Sequence, residues 1–236
     1  MKTPETAAFI YARLDSRRLP GKPLIEIDGV KVIDAVYARA ARLHVDVVVV
    51  LTTERHVDDT IAFHCAQNGY QCFRGDPTDL VKRTVRALET YGSDRFVRVN
   101  GDCPLFEPTL VNAGLSKMDT DSEIQVLSNV LNRTFPYGVA VECTEAQTYL
   151  HYSAFAKAYE LEHVTQHLNR LSKHLHVCSM LDSRGDNSRV RLTLDTVADL
   201  GSLRQLCSAE DLVYLPYWQL LRINRPSPVF EKQIIN

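Results

Sequence analysis

The sequence predicts an α/β domain with a mainly parallel sheet flanked by helices. Three observations carry that expectation. Strand-like and helix-like segments alternate through the first half of the chain. The strand-like runs Ala7–Tyr11 and Val45–Leu51 are almost wholly apolar, and the second is rich in β-branched residues, which fits strands covered on both faces. Repeated strand–helix units imply right-handed crossovers and therefore parallel neighbours.

In chain order, Ala7–Tyr11 is the first strand, and Val32–Leu43 has helix-like apolar spacing. Val45–Leu51 is the second strand. Asp58 and Asp59 then open a helix to about Asn68, with Gly69 as its stop. Gln71–Arg74 is a short strand, and Asp79–Tyr91 an amphipathic helix that turns Leu80, Val81, Thr84, Val85 and Leu88 to the core. Phe96–Val99 is a strand and Pro108–Met118 a helix. The second half is less regular. Gln125–Val130 and Val139–Cys143 read as strands separated by NRTFPYG, and Ala146–Asn169 as largely helical with a break near Tyr159. Leu175–Leu181 and Arg189–Leu194 alternate like strands around a turn at Ser183–Asn187, and Asp199–Cys207 and Tyr217–Ile223 read as final helices.

The 236 residues hold 45% apolar and 24% charged side chains, ordinary for a globular protein. No linker, repeat or low-complexity stretch divides them, so residues 1–236 are expected to form one domain. A net charge of −2 gives no general attraction to nucleic acid. No apolar run approaches the roughly 20 residues that cross a bilayer, and MKTPETAAF has no signal-peptide core. The six cysteines form no C-x-x-C pair, which suggests neither a zinc site nor a disulfide framework. Reduced, mostly buried thiols in a cytoplasmic protein are expected.

Ligands of parallel sheets bind beyond the carboxyl ends of the strands, and two segments stand out there. The first is ARLDSRRLPGKPL, from Ala12 to Leu24. It gathers Arg13, Arg17, Arg18 and Lys22 against one carboxylate, Asp15, and Pro20, Gly21 and Pro23 interrupt regular structure. Neither common glycine-rich phosphate loop is present, so a polyphosphate would be held by side-chain cations and loop amides. A solvated basic loop is the alternative. The second is VRVNGDCPLFEP, where Asp102 follows a buried strand and Gly101. Its carboxylate suits a hard cation such as Mg²⁺, or else caps the next segment. Farther on, RLTLDTVADL places Asp195 at another strand end, as a second metal carboxylate; the alternative is capping, with Asp195 or Thr196 as the cap of the helix containing Asp199. Asp119-Thr120-Asp121 is an Asp-x-Asp in a surface turn. His163 and His167 are four apart, a spacing that places both on one helix face, but two histidines do not make a zinc site.

Together these motifs resemble the CMP-sugar synthetase superfamily. ARLDSRRLPGKPL resembles its nucleotide-binding signature, GDCPL its first metal-aspartate motif and LTLDTVADL its second, in the same order. The intervening FRGDPTDLVKR, SNVLNRTFPYGVAVE and ELEHVTQHL most resemble the cytidylyltransferase family of spore coat polysaccharide biosynthesis protein F, with CMP-Kdo and CMP-sialic acid synthetases as wider relatives. The resemblance implies a GT-A-like nucleotide-diphospho-sugar transferase fold, CTP as nucleotide, Mg²⁺ as cofactor, a small acidic or sugar acceptor and a homodimer, with about residues 125–175 serving the acceptor or the dimer. Carried over by position, Arg13, Ser16, Arg18 and Lys22 would meet the CTP phosphates. Ala12, Arg74, Asn100 and Gly101 would surround base and ribose, Asp102 and Asp195 would hold Mg²⁺, and Glu142 and His163 would line the acceptor side. Arg13, Lys22 and Asp102 would be the catalytic groups. Two departures stand out: Ala140-Val141-Glu142 where relatives read D-x-E, and Asp15 and Arg17 where they carry a small residue and Thr.

Two rival functions share these motifs: a glycosyltransferase using Asp119 and Asp121, and a non-catalytic CTP-binding subunit. A plain NAD-dependent oxidoreductase is weakened by the missing glycine fingerprint. The cytidylyltransferase is expected to release pyrophosphate from CTP, whereas a glycosyltransferase would release a nucleoside diphosphate from a sugar donor. Product analysis separates them.

Overall fold

A computed structural model describes residues 5–223, 225 and 228–233. The strands are β1 (Thr6–Tyr11), β2 (Glu26–Ile27), β3 (Val30–Lys31), β4 (Val47–Thr53), β5 (Gln71–Gly75), β6 (Arg95–Asn100), β7 (Val126–Ser128), β8 (Glu142–Glu145), β9 (Val177–Asp182) and β10 (Pro228–Lys232). The helices are α1 (Val32–Ala40), α2 (Asp59–Gln67), α3 (Leu80–Tyr91), α4 (Pro108–Thr120), α5 (Ala146–Ser153), α6 (Gln166–Arg170), α7 (Val197–Leu206), α8 (Ala209–Tyr214) and α9 (Tyr217–Leu220). Eight strands form one sheet in the order β10-β9-β7-β8-β6-β1-β4-β5, and β2 and β3 form a separate hairpin. Strands β1, β4, β5, β6, β7 and β9 run one way, and β8 and β10 run against them. The sheet is mainly parallel, as the apolar runs predict.

Alternation along β1 shows why that strand tolerates no polar face. Ala8 and Ile10 enter one core layer, with α1, α4 and α8, while Ala7 and Phe9 enter the other, with α3 and α5. The second layer holds an aromatic ladder. Phe9 stacks on Phe96 at 5.6 Å, Phe96 meets Tyr149 edge-on at 5.1 Å, and Tyr149 meets His167 at 5.2 Å. The Tyr149 hydroxyl donates to the Val164 carbonyl at 2.8 Å, fixing the segment before α6.

The structure corrects several expectations. Arg189–Leu194 is not a strand; among the described residues it contributes only an isolated bridge between Arg191 and Tyr137. Its amides turn inward instead, to Tyr137 and Asp102. Val139–Cys143 gives way to a strand that begins at Glu142. The break expected near Tyr159 is present but wider: α5 and α6 are separated by a stretch without α-helix that holds a 3₁₀ turn at Ala158–Glu160. There Glu160 is buried and held by Arg170, which keeps its carboxyl at about 2, well below the usual range. Asp58 precedes α2 without a side-chain capping bond. Helix α8 and strand β10 have no counterpart in the sequence reading, being short and weakly patterned.

Arg39 on α1 is fully buried and ties distant parts together. It donates to the carbonyls of Leu212 (2.6 Å), Asp211 (3.0 Å) and Leu215 (2.7 Å) around the end of α8, and to Phe106 (3.2 Å) in the turn before α4. Arg39→Met would remove this donor from the Leu212, Leu215 and Phe106 carbonyls, while the Asp211 carbonyl keeps Leu215 N–H. At 1–3 kcal/mol for each buried group left unsatisfied, a loss of about 3 kcal/mol or more is expected. The urea midpoint measures it, and an unchanged midpoint would contradict the role.

Candidate active site

The loop after β1 is held by its own backbone and by one buried carboxylate. Ala12 N–H donates to the Leu51 carbonyl at 3.1 Å and Gly21 N–H to the Leu14 carbonyl at 2.8 Å. Leu14 N–H donates to Asp58 at 2.8 Å, and the Thr53 hydroxyl donates to the same carboxylate. Asp58, read from sequence as a helix start, therefore anchors the loop. Gly21 has φ 74°, in the left-handed region open to glycine, and leads into a 3₁₀ turn over Lys22–Leu24 around buried Pro23. That turn, absent from the sequence reading, aims Lys22 across the sheet edge.

Opposite it, Gly101 lets β6 pass close to β1. A Cβ there would stand 2.6 Å from the Tyr11 carbonyl, which Gly101 N–H meets at 3.0 Å. Asp102 follows. Its carbonyl accepts from Leu194 N–H at 2.8 Å and the Thr193 hydroxyl at 3.3 Å, which brings Asp195 alongside. Lys22 Nζ donates to Asp102 Oδ2 and, at 3.2 Å, to Asp195 Oδ1. Arg18 reaches Asp195 at 3.0 Å and Arg191 reaches it at 3.3 Å. Burial would lower the Lys22 pKa, but Asp102 and then Asp195 outweigh it and leave it raised above the ordinary lysine value. Of the capping alternatives, Thr196 is borne out, forming the capping box of α7 with Asp199, while Glu107 caps α4, so neither Asp102 nor Asp195 is used as a cap.

These groups lie in a cavity of about 850 Å³ across the carboxyl ends of the parallel strands. Eight arginine and lysine side chains line it against four carboxylates, Asp15, Asp102, Glu162 and Asp195, although the whole chain carries −2. Such a wall favours a polyanion. Of the residues expected from sequence, Ala12, Arg13, Ser16, Arg18, Lys22, Asn100, Gly101, Asp102, His163 and Asp195 all line it, and so does Arg17.

Two expected residues do not line the cavity. Arg74 donates to the Thr53 and Arg55 carbonyls at 2.9 and 3.0 Å and pairs with Asp59 at 2.6 Å, bracing the end of β4. Glu142 is buried at the start of β8, where it accepts from Arg98 and from the Thr165 hydroxyl at 2.6 Å. It positions Arg98, which lines the cavity, rather than facing a ligand itself. The departure Asp15 is held by Arg13 and Arg55. Asp119 and Asp121 pair with Arg95, Lys117 and Lys232 and do not line the cavity, so the Asp-x-Asp, expected in a surface turn, is the ion-paired C-terminal end of α4. His163 and His167 do not share a helix face, because α6 begins only at Gln166. No cluster of three or more metal-ligating side chains occurs among the described residues.

Sequence reasoning missed Arg98, Arg133 and Tyr137. Arg98 carried a signal: a cation between two valines in a central strand must project onto one face beside Asn100. Arg133 and Tyr137 lie in an irregular connection where no periodicity applies.

A family model described as Cytidylyltransferase matches residues 7–213. The chain belongs to the cytidylyltransferase family. It is thus a nucleotidyltransferase by family. Among curated relatives of this family member, spore coat polysaccharide biosynthesis protein SpsF of Bacillus subtilis is 28% identical over 209 residues, 84% of each chain. The 3-deoxy-manno-octulosonate cytidylyltransferase of Paramagnetospirillum magneticum is 33% identical over 138 residues, 54% of each. Among solved structures, a cytidylyltransferase from Leptospira borgpetersenii superposes with a TM-score of 0.85 at 28% identity, covering 92% of both chains. A CMP:2-keto-3-deoxy-manno-octonic acid synthetase complexed with CTP shares the fold, with a TM-score of 0.64 at 19% identity over 86% of this chain and 98% of that one.

His167 gives a pH prediction. It is fully buried, neither ring nitrogen has a hydrogen-bond partner among the described residues, and burial lowers its pKa to about 4. The unfolded chain, with histidine near 6.5, binds the extra proton first, so this residue's contribution to stability is complete above that value and falls as pH drops toward 4. Between pH 7 and pH 4.5 the loss is about 2–3 kcal/mol. Urea unfolding of His167→Phe is expected to show a shallower acid slope than the unaltered protein, and identical slopes would contradict it.

Proposed function

We propose that the protein transfers CMP from CTP to a small acidic acceptor, a sugar acid or a related compound, and releases pyrophosphate. The observation that carries this reading is the meeting of Lys22 with Asp102 and Asp195 beneath the cationic loop. Family membership supports CTP, and the relatives named for sugar-acid activation and polysaccharide biosynthesis support the acceptor class.

Arg13, Arg18 and Lys22 would bind the triphosphate, with Ser16 and the loop amides. Their charge would offset the negative charge that grows on the α-phosphate and the leaving pyrophosphate, so positioning and electrostatics carry the chemistry. Ala12, Asn100 and Gly101 would border base and ribose. Because both carboxylates reach one ammonium, their oxygens converge on a single cation position. That donor set fits Mg²⁺, which takes one or two carboxylates and completes its shell with phosphate and water. Bound there, Mg²⁺ supplies Lewis acidity toward phosphate and acceptor oxygens. An acceptor reacting through an existing oxyanion requires no general base. For a hydroxyl acceptor, His163 on the cavity wall would take the proton.

We read residues 1–236 as one domain, since the sheet draws strands from both halves. Six free cysteines, five of them buried, support a reducing, cytoplasmic location, and no described helix is long and apolar enough to cross a membrane. Exposed Phe155 and Tyr159, within the 125–175 region, support a homodimer.

Lys22→Ala is expected to lower turnover by about 10²–10³-fold, the scale of losing one electrostatic contact to the transition state. Asp102→Asn is expected to abolish activity or to displace its Mg²⁺ dependence to higher concentration. Both are read by pyrophosphate release from CTP with pooled sugar acids, sugar phosphates and phosphonates. Near-normal turnover in the first variant, or an unaltered Mg²⁺ dependence in the second, would contradict the assignment.

A further inference from the structure

The arginines of the cavity wall are engaged within the protein, with two exceptions. Arg13 and Arg55 pair with Asp15, Arg18 with Asp195 and Arg98 with Glu142, while Arg83 donates to the Asp76 and Pro77 carbonyls. Arg17 is exposed on the loop. Arg133 is different. It is half-buried, it lines the cavity, and its Nη1 is buried without a hydrogen-bond partner among the described residues. Its guanidinium lies over the Tyr137 ring, whose centroid is 5.1 Å from the guanidinium carbon. A buried donor without an acceptor is unfavourable, and a planar guanidinium fork fits a bidentate oxyanion.

Its place in the fold separates it from the triphosphate loop. Arg133 follows β7, whereas the loop follows β1, and β8 and β6 lie between them in the sheet. Three interstrand spacings amount to about 14 Å. Arg133 also has a route back to the reaction centre. Tyr137 contacts Arg191 as well, at 4.6 Å, and Arg191 reaches Asp195 at 3.3 Å. Tyr137 is clamped to that segment through Tyr137 N–H to the Val190 carbonyl at 2.8 Å and Leu192 N–H to the Tyr137 carbonyl at 2.7 Å. Arg98 stands on the intervening β6, its Nη1 held by Glu142, and Ala140, two residues before β8, lines the cavity without adding a charge there.

We propose that Arg133, stacked on Tyr137 and assisted by Arg98, anchors an oxyanion on the acceptor, a carboxylate, phosphate or phosphonate remote from the oxygen that attacks CTP. This rests on the cytidylyltransferase reading of the same cavity and adds to it the subsite that selects the acceptor. The anchored group and the reacting oxygen would then lie at opposite ends of the acceptor, one at Arg133 and the other near Asp102 and Asp195.

The test uses the full chain loaded with CTP and small probes: methylphosphonate and acetate as the two oxyanions, glycerol as the neutral control, each titrated by saturation-transfer NMR. The unaltered protein is expected to bind at least one oxyanion and not glycerol. Arg133→Ala is expected to weaken that binding about tenfold or more, Arg133→Lys to restore part of it, and CTP affinity to stay within about twofold. The oxyanion that depends more on Arg133 names the acceptor's chemistry. Equal oxyanion binding by Arg133→Ala, no oxyanion binding by the unaltered protein, or a matching fall in CTP affinity would overturn the proposal. Matching melting temperatures exclude misfolding as the cause. If CTP itself does not bind the unaltered protein, the nucleotide reading fails, while the same Arg133 comparison without CTP still decides the subsite.

Discussion

One ammonium holds the site together. Lys22 reaches Asp102, 80 residues away, and Asp195, 173 residues away. Two carboxylates crowded at one sheet edge repel each other in a half-dry cavity, and a cation between them offsets that repulsion. Three otherwise separate pieces of chain are set by this contact: the loop after β1, the turn after β6 and the segment leading into α7. Each piece also has its own brace. Asp58 fixes the loop at Leu14, Gly101 lets β6 approach β1, and the Asp102 carbonyl receives Leu194 N–H. The contact is therefore prepared by rigid backbone rather than by long side chains reaching through solvent.

The two sides of the cavity are built differently. One side rests on a short, proline-framed loop whose cations are visible in one stretch of sequence, and under the proposed function it would take the nucleotide. The other side, which would take the acceptor, is assembled from pieces: Arg98 from β6, Arg133 and Tyr137 from the β7–β8 connection, and His163, Thr165 and Gln166 at the start of α6. Buried pairs support it from below, with Glu142 against Arg98 and Tyr149 against the Val164 carbonyl.

Most of the sheet was legible because its strands are buried on both faces, so composition alone marks them. The elements misread share the opposite property. Arg189–Leu194 alternates like a strand, yet its amides go to Tyr137 and Asp102 because it is pressed against the site rather than added to the sheet. The break near Tyr159 was expected, but its width was not, because the Glu160–Arg170 pair and the Tyr149 hydroxyl hold a longer stretch out of the helix. Arg74 and Glu142 were assigned to ligands from motif position. Each is instead a brace, since the nearest carbonyls or the nearest guanidinium satisfy it first.

The sequence by itself determined the mainly parallel sheet, the cationic loop at its carboxyl edge and the two aspartates at strand ends, because these reside in contiguous patterns: apolar runs, a proline-glycine frame and short motifs; the reaction class came through the resemblance of those motifs to a known family. Only the tertiary structure decided which groups meet. The Lys22 bridge, the Arg98–Glu142 support and the isolated position of Arg133 depend on strand order and on chain crossings between residues far apart in sequence. Such contacts are set by how buried charges find partners in three dimensions, and no local periodicity records them.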